Sequence, residues 1–184
     1  ELYREFIDRL VSPEEVTTIY NIVVSTIKTN FRDKIHVIFD KVALEDGSVT
    51  EACIERVSWG LLNSAETPSE DRRYEELPDA QLNYQNLQAH VEDYNNTHKV
   101  PLHLVVFKYM SQHVLRATRV LGRVSGHMML VGVGGSGRRS LTRLAAHICG
   151  YKLVAPIINS ANNYQDLKTD LKKLVISAGI EEKA

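Results

Sequence analysis

The sequence predicts an α/β fold in which an incomplete parallel βαβ core follows a mainly helical N-terminal region. Three observations support this class. A glycine-rich loop at 132–137 lies between a short apolar run and an amphipathic segment, which is the order expected of strand, tight loop and helix. Helical periodicity dominates the chain ahead of that loop. The 184 residues are 43% hydrophobic and 24% charged, which is typical of core-forming globular units.

The first 64 residues are expected to form a helical region. Residues 1–11 carry their apolar side chains on one helical stripe. Ser12 then offers an N-cap, Pro13 suits a first helical position, and Glu15 completes a capping box. A helical hairpin is therefore predicted at the start of the chain.

The second helix of that hairpin continues at helical spacing to about Asn30. Apolar residues over 35–39 predict a short strand or extended piece, and residues 50–63 predict a further helix. Residues 65–78 are polar and acidic and contain two prolines, so they are interpreted as a linker. The remaining residues, 79–184, then form a second domain.

Two helices are predicted to open this second domain. Asp79 can cap a helix over 80–96 whose apolar residues recur at helical spacing. Pro101 can open a longer helix, and Gly122 can close it. These helices precede the predicted core.

The predicted βαβ core follows Gly126. Residues 127–131 form an apolar run of the length of a buried parallel strand, and the glycine loop comes next. Residues 138–149 predict an amphipathic helix, and 153–158 predict a second apolar strand. Asn163 can cap a last helix.

The charges divide unevenly along the chain. Residues 94–165 contain no Asp or Glu and nine Lys or Arg, although the net charge of the whole chain is only −1. A stretch without carboxylates suits an anionic partner, because neighbouring acids would repel it and neutralise the basic side chains. On the charge bias alone, a solvated basic surface is the preferred explanation, and the position of the glycines has to overturn it.

The glycine loop fits two phosphate-binding motifs. Read as G-x-x-x-x-G-K-[ST], the P-loop, Gly132 and Gly137 match, whereas Arg138 replaces the lysine and Arg139 replaces the Ser or Thr. Read as G-x-G-x-x-G, Gly132, Gly134 and Gly137 match a dinucleotide fingerprint, but the carboxylate expected about 20 residues later is missing. The long helical region ahead of the loop favours the P-loop, and an NADP-binding oxidoreductase domain remains the alternative.

The residues also resemble a known family. The run HMMLVGVGGSGRRSLTRLAAH at 127–147 resembles the P-loop of the fourth AAA+ module of dynein heavy chains, particularly the axonemal ones. Residues 93–96 and 102–107 are similar to the segment leading into that module, and 166–172 resembles its second helix. Residues 6–11 resemble the end of the preceding module's helical lid. The resemblance implies a P-loop AAA+ fold, with 79–184 as the N-terminal half of the module.

The resemblance further implies ATP or ADP with magnesium as the ligand. Ser140 would be the magnesium ligand if the loop register shifts by one residue, because Arg139 has no hydroxyl. The nucleotide-binding residues implied by the family, first those around the phosphates and then those beside the adenine, are Gly132, Val133, Gly134, Gly135, Ser136, Gly137, Arg138, Arg139, Ser140, Leu104, Val105, Val106 and Phe107.

Hydrolysis of ATP is not expected from this sequence on its own. Phosphoryl transfer in this class needs an acidic strand for metal and water, and no such strand follows the predicted second strand. A planar guanidinium at Arg138 keeps the charge of lysine but not its compact shape. We therefore expect part of a larger motor ATPase, with no catalytic residue in this piece.

The expected function is a regulatory or structural nucleotide site of a dynein-type microtubule motor in the cytoplasm, cytoskeleton or ciliary axoneme. The implied partners are neighbouring AAA+ modules and, through the parent motor, microtubules and dynein light and intermediate chains. The alternative from another class is a structural AAA+ module that has lost nucleotide binding through Arg138 and Arg139.

Other classes find little support in the sequence. No run approaches the ~20 apolar residues that cross a bilayer, and the first ten residues are too charged for a signal peptide, so no membrane partner is expected. Cys53 and Cys149 have no metal-ligand or disulfide pattern, and the seven histidines lack ligand spacing. Nucleic acid is kept only as a minor possibility, because Arg116, Arg119 and Arg123 on one predicted helix could contact phosphates.

Overall fold

A computed structural model describes residues 6–7, 10–32, 34–62, 65–77, 79–155 and 164–180. The chain divides into two compact units: unit 1 comprises residues 1–60 and 74–83, and unit 2 comprises 61–73 and 84–184. The elements, in chain order, are α1 (Pro13–Phe31), α2 (Ile35–Ile38), α3 (Glu51–Arg56), β1 (Ser58–Gly60), a 3-10 turn (Ser69–Asp71), β2 (Glu75–Leu77), α4 (Ala80–Thr97), α5 (Lys108–Leu121), α6 (Arg138–Ile148) and α7 (Tyr164–Ile180).

The start of α1 confirms the predicted helix boundary. The Ser12 hydroxyl accepts a hydrogen bond from the Glu14 amide at 3.3 Å, and proline takes the first helical position. The helix ends where Arg32 adopts a left-handed conformation, with φ of 54°. Ile7 and Ile54 form the buried centre of unit 1, and partly buried residues of α1 pack against it.

Residues 35–39 were predicted to form a strand, and this prediction is wrong. They form the single helical turn α2, in which the Phe39 amide donates to the Ile35 carbonyl at 3.0 Å. A run of five mainly apolar residues suits either a strand or a helical turn, and local hydrogen bonds form without a partner strand. The predicted helix over 50–63 is shorter than expected, because it ends at Arg56.

The described sheet consists of two short antiparallel strands. Trp59 of β1 lies opposite Glu76 of β2, and Ser58 lies opposite Leu77. Strand β2 falls inside the predicted acidic linker, where three residues carry too little pattern to be recognised. The predicted domain limits at 64 and 78 stay a prediction.

Helix α4 confirms the prediction over 80–96. The Asp79 carboxylate accepts hydrogen bonds from the amides of Gln81 and Leu82, at 2.8 and 3.3 Å, as an N-cap does. Of its apolar residues, Leu87 and Val91 are buried, whereas Leu82 is 51% exposed.

Helix α5 begins at Lys108 and not at Pro101 as predicted. The reason lies in Leu102, whose backbone is held at both ends by one side chain. Its amide donates to Asn95 Oδ1 at 2.6 Å, and its carbonyl accepts from Asn95 Nδ2 at 3.1 Å. These bonds compete with helix formation and leave 101–107 irregular. Gly122 ends the helix as predicted.

The helix of the predicted βαβ core is confirmed, but its strands are not. Helix α6 spans Arg138–Ile148 and packs against α5. Residues 127–131 and 153–155 are irregular, while 156–158 and the predicted cap Asn163 lie outside the described residues. A parallel strand needs hydrogen-bonded neighbours, and neither segment pairs within the described residues. The described fold is therefore mostly helical with one small sheet.

Candidate functional site

The glycine loop lies directly at the N-terminus of α6. Gly137 is the N-cap of the helix with φ of 74°, and Gly135 has φ of 81°. Other residues rarely adopt this left-handed conformation, so the turn into the helix depends on glycine at both positions. The Leu141 amide donates to the Gly137 carbonyl at 2.9 Å and closes the first helical turn.

A pocket of about 410 Å³ lies over this turn and is lined by residues 134–140. A Cβ atom built on Gly134, Gly135 or Gly137 would meet no atom within 4 Å, so the loop backbone borders open space. The first turn of α6 carries no acidic residue. Since the first amides of a helix have no carbonyl partner within it, they and the helix dipole favour an anion here.

Gly132 and Ser136 approach each other at the base of the loop. The Ser136 amide donates to the Val133 carbonyl at 3.3 Å, which turns the chain back on itself. A Cβ on Gly132 would lie 3.0 Å from Ser136 Oγ, so a larger residue would press against this turn. The loop is closed at its base and open toward the pocket.

The two arginines that depart from the P-loop motif both line the pocket, as does Ser140. Arg138 Nη2 donates to the Val133 carbonyl at 3.1 Å, so its guanidinium reaches back along the loop. Arg139 is exposed and Ser140 is half-buried. The structure thus brings both arginines and two serines, Ser136 and Ser140, to the pocket where the sequence predicts phosphates and magnesium.

The predicted adenine wall is not brought to the same pocket. Residues 104–107 are absent from the lining of the pocket, and the side chains of Val105 and Phe107 are 78% and 53% exposed. Their role beside the adenine stays a prediction.

A second constellation at the other end of α6 was missed by the sequence analysis. His147 Nε2 lies 2.8 Å from Asp93 Oδ2, and Arg72 Nη1 donates to the Ile148 carbonyl at 2.6 Å. Asp93 and His147 are 54 positions apart in the sequence, and Arg72 and Ile148 are 76 positions apart. No local motif could therefore have predicted these contacts. Among the described residues there is no group of three His, Cys, Asp or Glu side chains able to hold a metal ion.

Comparison with known proteins places this loop in a named family. Residues 102–184 match the model of the P-loop containing dynein motor region D4. Human dynein axonemal heavy chain 12 is 31% identical over 175 residues, which is 95% of this chain and 6% of that protein. The chain belongs to the dynein heavy-chain family. The family description favours the P-loop interpretation over the dinucleotide fingerprint.

Two further relatives match a shorter stretch of the chain at higher identity. Human dynein axonemal heavy chain 6 is 43% identical over 113 residues, which is 61% of this chain and 3% of that protein. The dynein alpha chain of the flagellar outer arm from Chlamydomonas reinhardtii is 39% identical over 111 residues, which is 60% of this chain and 2% of that protein. The chain therefore spans a small part of the heavy chains that it matches.

The described helices also bear on the membrane question. None of them combines the length and the apolar character that a membrane span requires.

Proposed function

We propose that the glycine loop binds ATP or ADP with magnesium and serves as a regulatory or structural nucleotide site of a dynein-type motor. The observation that carries the proposal is the open backbone turn at the N-terminus of α6, where Gly135 and Gly137 hold positive φ. A turn of this kind directs main-chain amides at an anion without side-chain obstruction. The match to a P-loop motor region supports the same ligand class.

The charges at the loop agree with a polyphosphate. Arg138 and Arg139 line the pocket, and no acidic side chain does. A guanidinium can bind a phosphate through two parallel hydrogen bonds. To do so, Arg138 would exchange its 3.1 Å bond to the Val133 carbonyl for a bond to phosphate. The conformation of the loop would then differ between the ligand-bound and the ligand-free protein.

Magnesium, when bound with the nucleotide, would neutralise part of the phosphate charge. Ser140 would be its protein ligand if the loop register shifts by one residue, since Ser140 lies in the first turn of α6 and lines the pocket. Arg139, at the position where the motif expects a hydroxyl, cannot take this role. We propose binding without ATP hydrolysis by these residues.

In the parent motor, the bound nucleotide would act on how neighbouring modules are oriented. A nucleotide held between neighbouring AAA+ modules of one heavy chain biases their relative orientation, because it binds one arrangement better than another. The names of the relatives suggest the ciliary axoneme and the cytoskeleton as location. Microtubules and the light and intermediate chains would be partners of the parent motor.

A structural module without nucleotide is the second candidate. It is favoured by the Arg138 guanidinium, which already satisfies the Val133 carbonyl inside the loop. In that case the arginine replaces the ligand as the group that holds the loop shape.

Isothermal titration of the 184-residue chain with ADP and MgCl₂ separates the two candidates. We expect binding heat from the wild-type chain and at least a tenfold weaker affinity, about 1.4 kcal/mol, in Gly135→Ala. The methyl group has space, but a residue with φ of 81° is strained, so the turn changes shape.

Gly47→Ala is the matched control for this titration. Gly47 has φ of 77° and nothing within 4 Å of its would-be Cβ, but it belongs to a turn of unit 1. This variant carries the same kind of backbone strain and should bind ADP like the wild type. Absence of heat from a folded wild-type chain would reject nucleotide binding and favour the structural module.

A further inference from the structure

A second and larger cleft lies in unit 2 at the C-terminal end of α6. Its volume is about 760 Å³, within the usual range of small-molecule sites. Its walls come from the 3-10 turn, the end of α4, the end of α6 and the irregular residues that follow α6. None of the residues that line the glycine-loop pocket lines this cleft.

The lining of the cleft is cationic. It includes no Asp or Glu, and its Lys and Arg side chains are Arg72, Lys99, Arg143 and Lys152. The Asp93 carboxylate contacts one lining residue, His147, at 2.8 Å. Positive charges gathered in a concave site focus the field and raise the local concentration of anions. Most of the residues that line the cleft come from the stretch 94–165, which contains no Asp or Glu.

The cations fall into two groups with different roles. Arg72 is committed to the fold, because it donates to the carbonyls of Thr67 and Ile148 at 2.9 and 2.6 Å. Its burial lowers the pKa of the guanidinium from its usual value. The side chains of Lys99, Arg143 and Lys152 make no hydrogen bond or ion pair with any described residue, so their charges remain available to a ligand.

One wall of the cleft is a set of fixed rings. His98 stacks on Tyr94 with ring centroids 4.0 Å apart and planes 5° apart. The His98 Nδ1 atom lies 3.1 Å from the Tyr94 carbonyl, and a hydrogen bond between them holds the ring in place. His147 meets both rings edge-on, at 5.3 Å. The wall is therefore preorganised, which lowers the entropy cost of binding.

The opposite rim is also fixed by close packing. Gly150 has φ of 73°, and a Cβ there would lie 2.5 Å from Ser69 Oγ. Only glycine allows the end of α6 and the 3-10 turn to approach this closely. The end of α6 is thus closely packed against the 3-10 turn beside the cleft.

We propose that this cleft is a second anion site, separate from the glycine loop, that binds a polyphosphate ligand. Three uncommitted cations around one concavity match the charge of a diphosphate or triphosphate group better than that of a single carboxylate. The volume of about 760 Å³ suits a small molecule, and an acidic peptide is the alternative ligand that the test addresses. Binding here does not require binding at the loop.

The test follows both sites in one titration of the ¹⁵N-labelled 184-residue chain with sodium pyrophosphate. The amide resonance of Gly150 reports on the cleft, and that of Gly135 reports on the loop. We expect a saturable shift of the Gly150 resonance. In the double variant Lys99→Gln/Lys152→Gln, the dissociation constant at Gly150 should rise at least tenfold while the Gly135 response is unchanged.

Lys168→Gln/Lys172→Gln is the matched control, because it removes two exposed charges from α7 and none from the cleft. It should leave the Gly150 titration unchanged. The proposal is overturned by an unresponsive Gly150, by equal weakening in both double variants, or by tighter binding of a glutamate oligomer than of pyrophosphate. An unresponsive Gly135 beside a responsive Gly150 would reject only the nucleotide site at the loop.

Discussion

The two ends of α6 form two different kinds of anion-attracting surface. At its N-terminus, the pocket is built from backbone, because glycines hold the chain in conformations that expose main-chain amides. At its C-terminus, the cleft is built from side chains that arrive from three other segments of the chain. A short sequence motif can therefore predict a site that is built from backbone, but not one that is built from side chains of distant segments.

Both ends of α6 depend on the packing of one buried residue at the centre of the helix. Leu144 is fully buried at the centre of α6, within the packing against α5. Leu144→Ala should lower the free energy of unfolding by about 2–5 kcal/mol, since it removes transfer energy and leaves a cavity. Urea denaturation followed by circular dichroism measures this. Leu167→Ala is the control, because the Leu167 side chain on α7 is 49% exposed and should cost far less.

The variant Arg72→Met should affect the C-terminal end of α6 but not its N-terminal end. The three donors of Arg72 contact the carbonyls of Ala65, Thr67 and Ile148, so the variant leaves partly buried carbonyls without a partner. We expect a loss of about 2 kcal/mol in unfolding free energy and a changed Gly150 resonance. The Gly135 resonance should stay in place, and a shift there would show that the two ends are coupled.

Alkaline pH should destabilise the chain in part through Cys149, at the C-terminal end of α6. Burial raises the pKa of the Cys149 thiol to about 11 from an ordinary value of 9.0. Between these values the unfolded chain binds fewer protons than the folded chain, so stability falls as pH rises from about 9 to 11. After allowance for solvent screening, the expected loss is about 1–2 kcal/mol.

Urea denaturation at pH 8 and pH 10.5 measures this loss. The variant Cys149→Ala should lose this part of the pH dependence while retaining the part due to other groups. An identical slope in the wild-type chain and in this variant would contradict the assignment to Cys149.

The sequence predicted well where local chemistry decides the structure. Ser12 and Asp79 cap their helices as expected, and α6 begins directly after the glycine loop. The prediction failed at 35–39, where a short apolar run suits two structures, and at Pro101, where the side chain of Asn95 holds the following backbone.

The cleft was beyond prediction for a different reason. The seven histidines show no metal-ligand spacing in the sequence, and in the structure His98 and His147 each make a polar contact. The two histidines and Arg72 line the same cleft because distant segments of the chain pack together. The periodicity of the sequence does not predict that packing. The predicted phosphate and adenine contacts stay predictions.

The close approach of Gly150 to Ser69 also bears on the order in which the chain folds. Contacts within the glycine loop join residues only a few positions apart, so they cost little chain entropy and can form with α6 itself. The bond from Arg72 to Ile148 joins residues 76 positions apart, and closing so long a loop is slow. We therefore expect the loop to be shaped early in folding, and the cleft to be completed only when the turn at residue 69 docks against the finished helix.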